Sequence, residues 1–367
     1  MIRPLTSLRF VFAFMVLCAH SPFYTDSRTF GYKLSALVMS EGFIGVSFFF
    51  ILSGFILSLN YADAFRDESV SKRDFWIMRF ARIYPLYLLT LLIEIPFTMH
   101  EYHAHAGIWW GRLATCAVML QSWVPDIQWT AAFNMPSWSL SVEAFFYALF
   151  PLLIIRIRKV RTGVLLSAAA MLILLTGMYF TPPSWYKVIF YNNPLGRLGE
   201  FVLGIALYRY YEAHRSKSWT YRYATRMELG AIVIFLLFFV FHLWVPHVLR
   251  FSVYYWVPMV FLLYVFSRSS GAVSRLLSRR LFVLAGEASF AFYMIHYRVG
   301  GMLSIANRRL HIDQASLLYF LLYFGITLVG SVAVYLLFER PANRYLRQKL
   351  LPKRRLATAL SHSTTFR

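Results

Sequence analysis

Acidic residues are scarce in this chain: 16 Asp and Glu stand against 37 Lys and Arg, and charged residues make up only 14% of 367 positions. A soluble domain averages about 25% charged residues. With 59% of the chain hydrophobic, a water-soluble globular domain is excluded. Cysteine is nearly absent. Cys18 and Cys116 both sit in apolar surroundings, which rules out a disulfide framework and a cysteine metal site. Gly/Ser/Pro-rich linkers and long polar blocks are missing too, which argues for one polytopic unit. The first apolar run lacks an A-x-A-like site and carries Arg9 inside it, so it does not read as a cleaved signal. The net charge of +21 does not point to nucleic acid, because the basic residues fall in short clusters between apolar spans, where the positive-inside rule puts them.

Apolar stretches of spanning length lie at about 5–23, 42–60, 76–97, 138–156, 162–180, 195–211, 229–246, 251–267, 281–303 and 316–338. An eleventh, about 107–124, contains Arg112 and is flanked by loops without Lys or Arg. Charge decides its status. Basic clusters follow Leu59, Ile155, Tyr208, Phe266 and Phe338, and ten spans put all five on one side. Letting 107–124 cross would set the first cluster against the other four. The expectation is an all-α polytopic membrane protein with about ten transmembrane helices and both termini cytoplasmic. Residues 98–137 then form an external segment able to re-enter the membrane. Arg28, Lys33, Arg308 and Arg309 dissent from outside. The division is a membrane domain over 1–340 and a basic cytoplasmic tail over 341–367. No internal repeat of the transporter kind is visible.

Within LRFVFAFMVLCAH, Arg9 and His20 are eleven residues apart. That is about three turns plus ~20°, which sets both on one helix face roughly 16 Å apart along the axis. Ionisable groups at that depth are expensive and read as functional; a pore-lining histidine with a snorkelling arginine is the bland alternative. Gly42, Gly45, Ser47, Ser53 and Gly54 are small residues that permit close helix approach, with Phe48, Phe49 and Phe50 filling around them. Arg79 and Arg82, at i and i+3, form either a guanidinium pair for phosphates or ordinary positive-inside flanking. Glu143 follows Ser137 and Ser139, either of which suits an N-cap, and has Trp138 and Tyr147 at helical spacing. Its carboxylate needs a partner: a histidine to orient, Arg9, or Arg197. Arg197 and Glu200 read as a structural ion pair. His296, one turn after Tyr293, is either a second polar group in a central cavity or a packing contact. FERP, Phe338 to Pro341, reads as a helix stop.

In this order, these segments resemble the membrane-bound acyltransferase-3 family over nearly the whole chain. The resemblance rests on the Arg9/His20 spacing, the Gly/Phe/Ser-Gly block, R-x-x-R at Arg79 and Arg82, and S-W-S-L-x-x-E-x-x-x-Y from Ser137 to Tyr147. The late S-F-x-x-Y-x-x-H and E-R-P add to it. It implies a multi-pass enzyme of the bacterial inner membrane that moves an acyl group, usually acetyl from cytoplasmic acetyl-CoA, to a hydroxyl of an envelope or exported glycan; some relatives modify small molecules such as macrolides, and others carry a fused extracytoplasmic domain, for which no length remains after Phe338. On that basis His20 is the expected general base or acyl carrier. Arg9 positions the donor or stabilises the carbonyl oxygen, and Glu143 sets the histidine tautomer or pairs with an arginine. Arg79 and Arg82 bind the phosphates of acetyl-CoA. Ser53, Trp138, Tyr147, Arg197, Tyr293 and His296 are candidates for a central cavity, and no metal is expected. The expected partners are a glycan or lipid-linked glycan acceptor and membrane lipids. An acyltransferase for a lipid or secondary metabolite, and a transporter of a lipid-linked sugar, are the competing readings.

Overall fold

The computed structural model describes residues 2–21, 39–251 and 253–351. Arg28, Lys33 and the end of the basic tail, 352–367, lie outside the described residues. Helices of eight residues or more are numbered here in chain order. They are α1 (Arg3–Ala19), α2 (Ile44–Arg66), α3 (Lys72–Glu94), α4 (Met99–Ala117), α5 (Trp138–Arg156), α6 (Val160–Phe180) and α7 (Pro194–His214). There follow α8 (Tyr221–Phe241), α9 (Trp256–Ser267), α10 (Arg280–Glu287), α11 (Ser289–Leu310), α12 (Leu317–Val334) and α13 (Arg340–Leu350). No strand occurs among the described residues.

Among the described residues, six helical stretches are long and apolar enough to cross a membrane: Ser40–Arg66, Lys72–Ala117, Met135–Arg156, Val160–Phe180, Tyr221–Trp244 and Leu317–Leu350. Their outer faces display large apolar side chains, such as Ile173, Leu236 and Val329, which only lipid would cover favourably. The chain is a polytopic membrane protein. The other expected spans are helical as well, but α1 and α9 are short, α7 and α11 carry charges, and the stretch 281–303 is broken between α10 and α11.

Helix starts follow local chemistry. Ser71 accepts from the Asp74 amide at 3.1 Å and donates to its carboxylate at 2.7 Å, a capping box that begins α3. Asn193 caps α7 through the Leu195 amide. The expected serine cap on α5 is not made: Ser137 holds the N-cap position without a capping bond, and Ser139 donates to the Pro136 carbonyl instead.

The centre of the bundle is the crossing of α2 and α7, its most extensive helix contact. A Cβ on Gly54 would stand 2.1 Å from the Phe201 carbonyl oxygen, and one on Gly204 2.0 Å from that of Ile51. Only glycine lets these two backbones meet. Gly42 and Gly45 approach the backbone of α1 in the same way. The glycines of the small-residue stripe read from the sequence are therefore helix-packing surface.

FERP does not stop a helix. Tyr335–Glu339 form a π turn that leads straight from α12 into α13, and α13 packs against α3. Residues 340–350 thus pack on the bundle, within the stretch 341–367 that the sequence set apart as a basic tail.

Candidate active site

A cavity of about 440 Å3 lies at the end of the bundle where α1 and α3 begin and α2 ends. That volume is in the range of ligand pockets. Arg9 enters from α1, Ser53 from α2, Arg79 and Arg82 from α3, Glu143 and Tyr147 from α5, and Tyr293 from α11. Helical spacing sets each pair side by side: Arg79 with Arg82, Glu143 with Tyr147. The Tyr147 hydroxyl donates to Glu143 Oε1 at 2.5 Å, and the Ser53 hydroxyl donates to the same oxygen at 3.1 Å.

The two arginines of R-x-x-R differ. Arg82 is ion-paired with Glu339, whose side chain is 1% exposed. Arg79 donates to the Tyr61 hydroxyl at 2.7 Å and lies over the rings of Tyr61, Phe75 and Tyr147. Its Nε is buried without a hydrogen-bond partner, and Arg79 makes no ion pair among the described residues, although Glu143 lines the same cavity. Arg79 therefore presents an unpaired guanidinium nitrogen at the cavity.

The cavity ends at Tyr293, whose hydroxyl lies 2.9 Å from both the Pro136 carbonyl and the Ser139 hydroxyl. One helical turn beyond, His296 is fully buried, and its Nε2 is 3.1 Å from Nδ1 of His20. His296 Nδ1 lies 2.6 Å from the Tyr293 carbonyl, so that nitrogen carries the proton and Nε2 keeps its lone pair. His20 Nδ1 is also 2.9 Å from the Val16 carbonyl. Two acceptors thus share the His20 Nδ1 proton, and His20 Nε2 has no hydrogen-bond partner among the described residues.

Several expectations need correcting. Of the residues expected in a central cavity, Trp138, Arg197 and His296 do not line this one. Trp138 packs against Tyr191 and Phe50. Arg197 is wholly enclosed, bonded to Ser47 at 2.7 Å and Glu200 at 3.1 Å, which matches its reading as a structural pair. Glu143 does not set the His20 tautomer; Val16 and His296 do.

Sequence reasoning missed Glu339, Glu287, Tyr335, Asn343 and Arg347, all at the cavity or paired to it. It also missed a second buried cluster, in which Glu41 is bound by Arg250 and by Tyr255 at 2.8 Å. Among the described residues, no group of His, Cys, Asp and Glu is placed to hold a metal ion.

A family model described as an acyltransferase domain, Acyl_transf_3, matches residues 5–336. The chain belongs to this family. It is 30% identical to the acyltransferase MdmB of Streptomyces mycarofaciens, over 98% of this chain and 95% of that protein. It is 32% identical to the O-acetyltransferase OatA of Staphylococcus aureus over 34% of this chain and 22% of that protein. A putative O-acetyltransferase of the same species is 21% identical over 84% of this chain and 54% of its own length. The chain thus spans about half or less of the two O-acetyltransferases. No solved structure matches. Membership makes this acyltransferase-3 protein an enzyme and sets the transporter reading aside. Glu339, Asn343 and Arg347 lie past the last residue of the family match.

Proposed function

We propose that this enzyme takes an acetyl group from acetyl-CoA on the cytoplasmic side and transfers it to a hydroxyl of an envelope or exported glycan. The reading includes ten membrane crossings, both chain ends in the cytoplasm and a place in a bacterial inner membrane. The observation that carries it is the division of one helix, α1: Arg9 lies in an arginine-lined cavity at one end, and His20 stands at the other with Nε2 unpaired among the described residues. Basic residues after α2 and along α13 crowd the cavity end, which makes it the cytoplasmic end.

The cavity suits the donor. Four arginines, Arg9, Arg79, Arg82 and Arg347, line it against two carboxylates, Glu143 and Glu287, and a nucleotide with several phosphates answers that excess. Arg79 binds phosphate, and Arg82 is held at the mouth by Glu339. Arg9 stands about 16 Å from His20 along the helix. It therefore binds the donor and is too far to stabilise the oxyanion. His20 Nε2 takes the proton of the acceptor hydroxyl as that oxygen bonds the acetyl carbon. The imidazolium is steadied by the Val16 carbonyl and the His296 lone pair, then returns its proton to the departing thiolate as the C–S bond breaks.

The test is compositional. A deletion strain should lose base-labile acetyl from a surface or secreted glycan while keeping glycan length and amount. The wild-type gene should restore it and His20→Ala should not, at equal membrane protein level. Unchanged acetyl on every such glycan, or its loss from a small secreted molecule instead, would contradict the proposed acceptor.

A further inference from the structure

The strongest feature left unused is α13. Its Asn343 and Arg347 reach the same cavity as Arg79 and Arg9, although both lie past the last residue of the family match. Four buried polar atoms in this corner have no hydrogen-bond partner among the described residues: Arg79 Nε, Arg347 Nε, Asn343 Oδ1 and Glu339 Oε2. Arg347 makes no ion pair among the described residues either. A buried guanidinium nitrogen left unpaired is costly. Two of them beside a donor-sized cavity mark a place built for an anion that arrives later.

The position of α13 is not accidental. The π turn Tyr335–Glu339 carries the chain from α12 into α13 without a break, and the Glu339–Arg82 ion pair joins the start of α13 to α3. That pair neutralises Arg82, so R-x-x-R alone offers one arginine without an ion pair among the described residues. A CoA thioester brings a diphosphate and a further phosphomonoester, about three to four negative charges at neutral pH. One free guanidinium does not match that charge; Arg79 with Arg347, supported by Arg9, comes close to it.

We infer that α13 completes the phosphate end of the donor site, with Arg347 binding a phosphate of the CoA nucleotide and Asn343 bonding its polar surroundings. This rests on the proposed donor and adds the residues that make the enzyme prefer a full CoA thioester to a phosphate-free pantetheine thioester. The shared chemistry is phosphate, and an anionic lipid headgroup at the membrane surface is the other source of it.

The experiment uses the full chain in nanodiscs of phosphatidylcholine alone, so that no anionic lipid competes. Equilibrium binding of labelled acetyl-CoA is measured in competition with CoA and with pantetheine, together with KM and kcat for the two acetyl thioesters. For Arg347→Gln the preference for CoA over pantetheine should fall roughly ten- to hundred-fold, the range for one charge-assisted hydrogen bond. The acetyl-CoA effect should sit in KM. Arg347→Lys, which keeps charge but loses the planar fork, should fall between. It also covers the case in which the glutamine variant does not fold. If both variants keep the wild-type preference, α13 is not part of the donor site. If the preference is unchanged but phosphatidylglycerol no longer co-purifies with Arg347→Gln, the anion is a lipid headgroup and the inference falls. If the wild type binds no acetyl-CoA at all, the proposed donor itself has failed.

Discussion

Removing the His296 side chain separates a positioning role from a catalytic one. His20 Nδ1 has two acceptors, the Val16 carbonyl at 2.9 Å and His296 Nε2 at 3.1 Å. In His296→Ala the carbonyl remains, so the proton stays on Nδ1 and the reactive lone pair stays on Nε2. What is lost is one shared hydrogen bond and the packing that fixes the ring plane. A neutral hydrogen bond is worth about 0.5–1.5 kcal/mol net, which corresponds to roughly a 2- to 13-fold fall in kcat. Removing His20 itself should cost ~10²–10⁴-fold. His296→Asn, whose amide oxygen can accept the same proton, should recover part of the loss. The assay is acetyl transfer in membrane vesicles at saturating donor, normalised to folded protein by size-exclusion fluorescence. KM for acetyl-CoA should be unchanged, since His296 lies outside the cavity. A loss as deep as that of His20→Ala would show that His296 takes part in the chemistry directly. No loss at all would show that the imidazole pair has no role in positioning.

Gly204→Ala should impair folding. Its Cβ would fall 2.0 Å from the Ile51 carbonyl oxygen and 2.8 Å from the Phe55 nitrogen, so α2 and α7 must part, at a cost of at least the ~1–3 kcal/mol typical of overpacking. A wild-type melting temperature in detergent would refute the close crossing. Glu339→Gln should lower thermal stability by less than the ~3–5 kcal/mol of a fully buried broken pair, because the Arg82 side chain keeps 22% exposure; an unchanged melt would show that the pair does not hold α13 in place. Tyr293→Ala removes the ring that closes the cavity toward the histidines, and should raise acceptor-independent hydrolysis of acetyl-CoA, read as free thiol. No rise would mean that this ring is not the barrier.

The helices were legible because apolar runs and charge clusters are written locally in the chain: the stretch 138–156 matches α5 at both ends. Where charge interrupts apolarity the reading weakened, as at Arg197 and Glu200, whose enclosure depends on Ser47 and Trp256 from distant helices. The cavity residues of α1, α2, α3 and α5 were visible as ionisable or small residues inside apolar segments. Arg347 was not, because it sits in a run of basic residues that the positive-inside rule already explains. Asn343 carries no signal of its own. The partner of His20 stayed open for a related reason: spacing finds neighbours on one helix, whereas His296 meets His20 across two helices, 276 positions apart in sequence. FERP was misread because proline normally ends a helix, yet here the helix runs on through Pro341, directly after the π turn Tyr335–Glu339.

The central claim is that donor and acceptor reach opposite ends of α1. Inverted inner-membrane vesicles carrying the native acceptor, given acetyl-labelled acetyl-CoA on their outer face, test it most directly. The account expects base-labile label on lumenal glycan with the wild type, and none with His20→Ala. Label transferred only when donor and acceptor share the same face would contradict it.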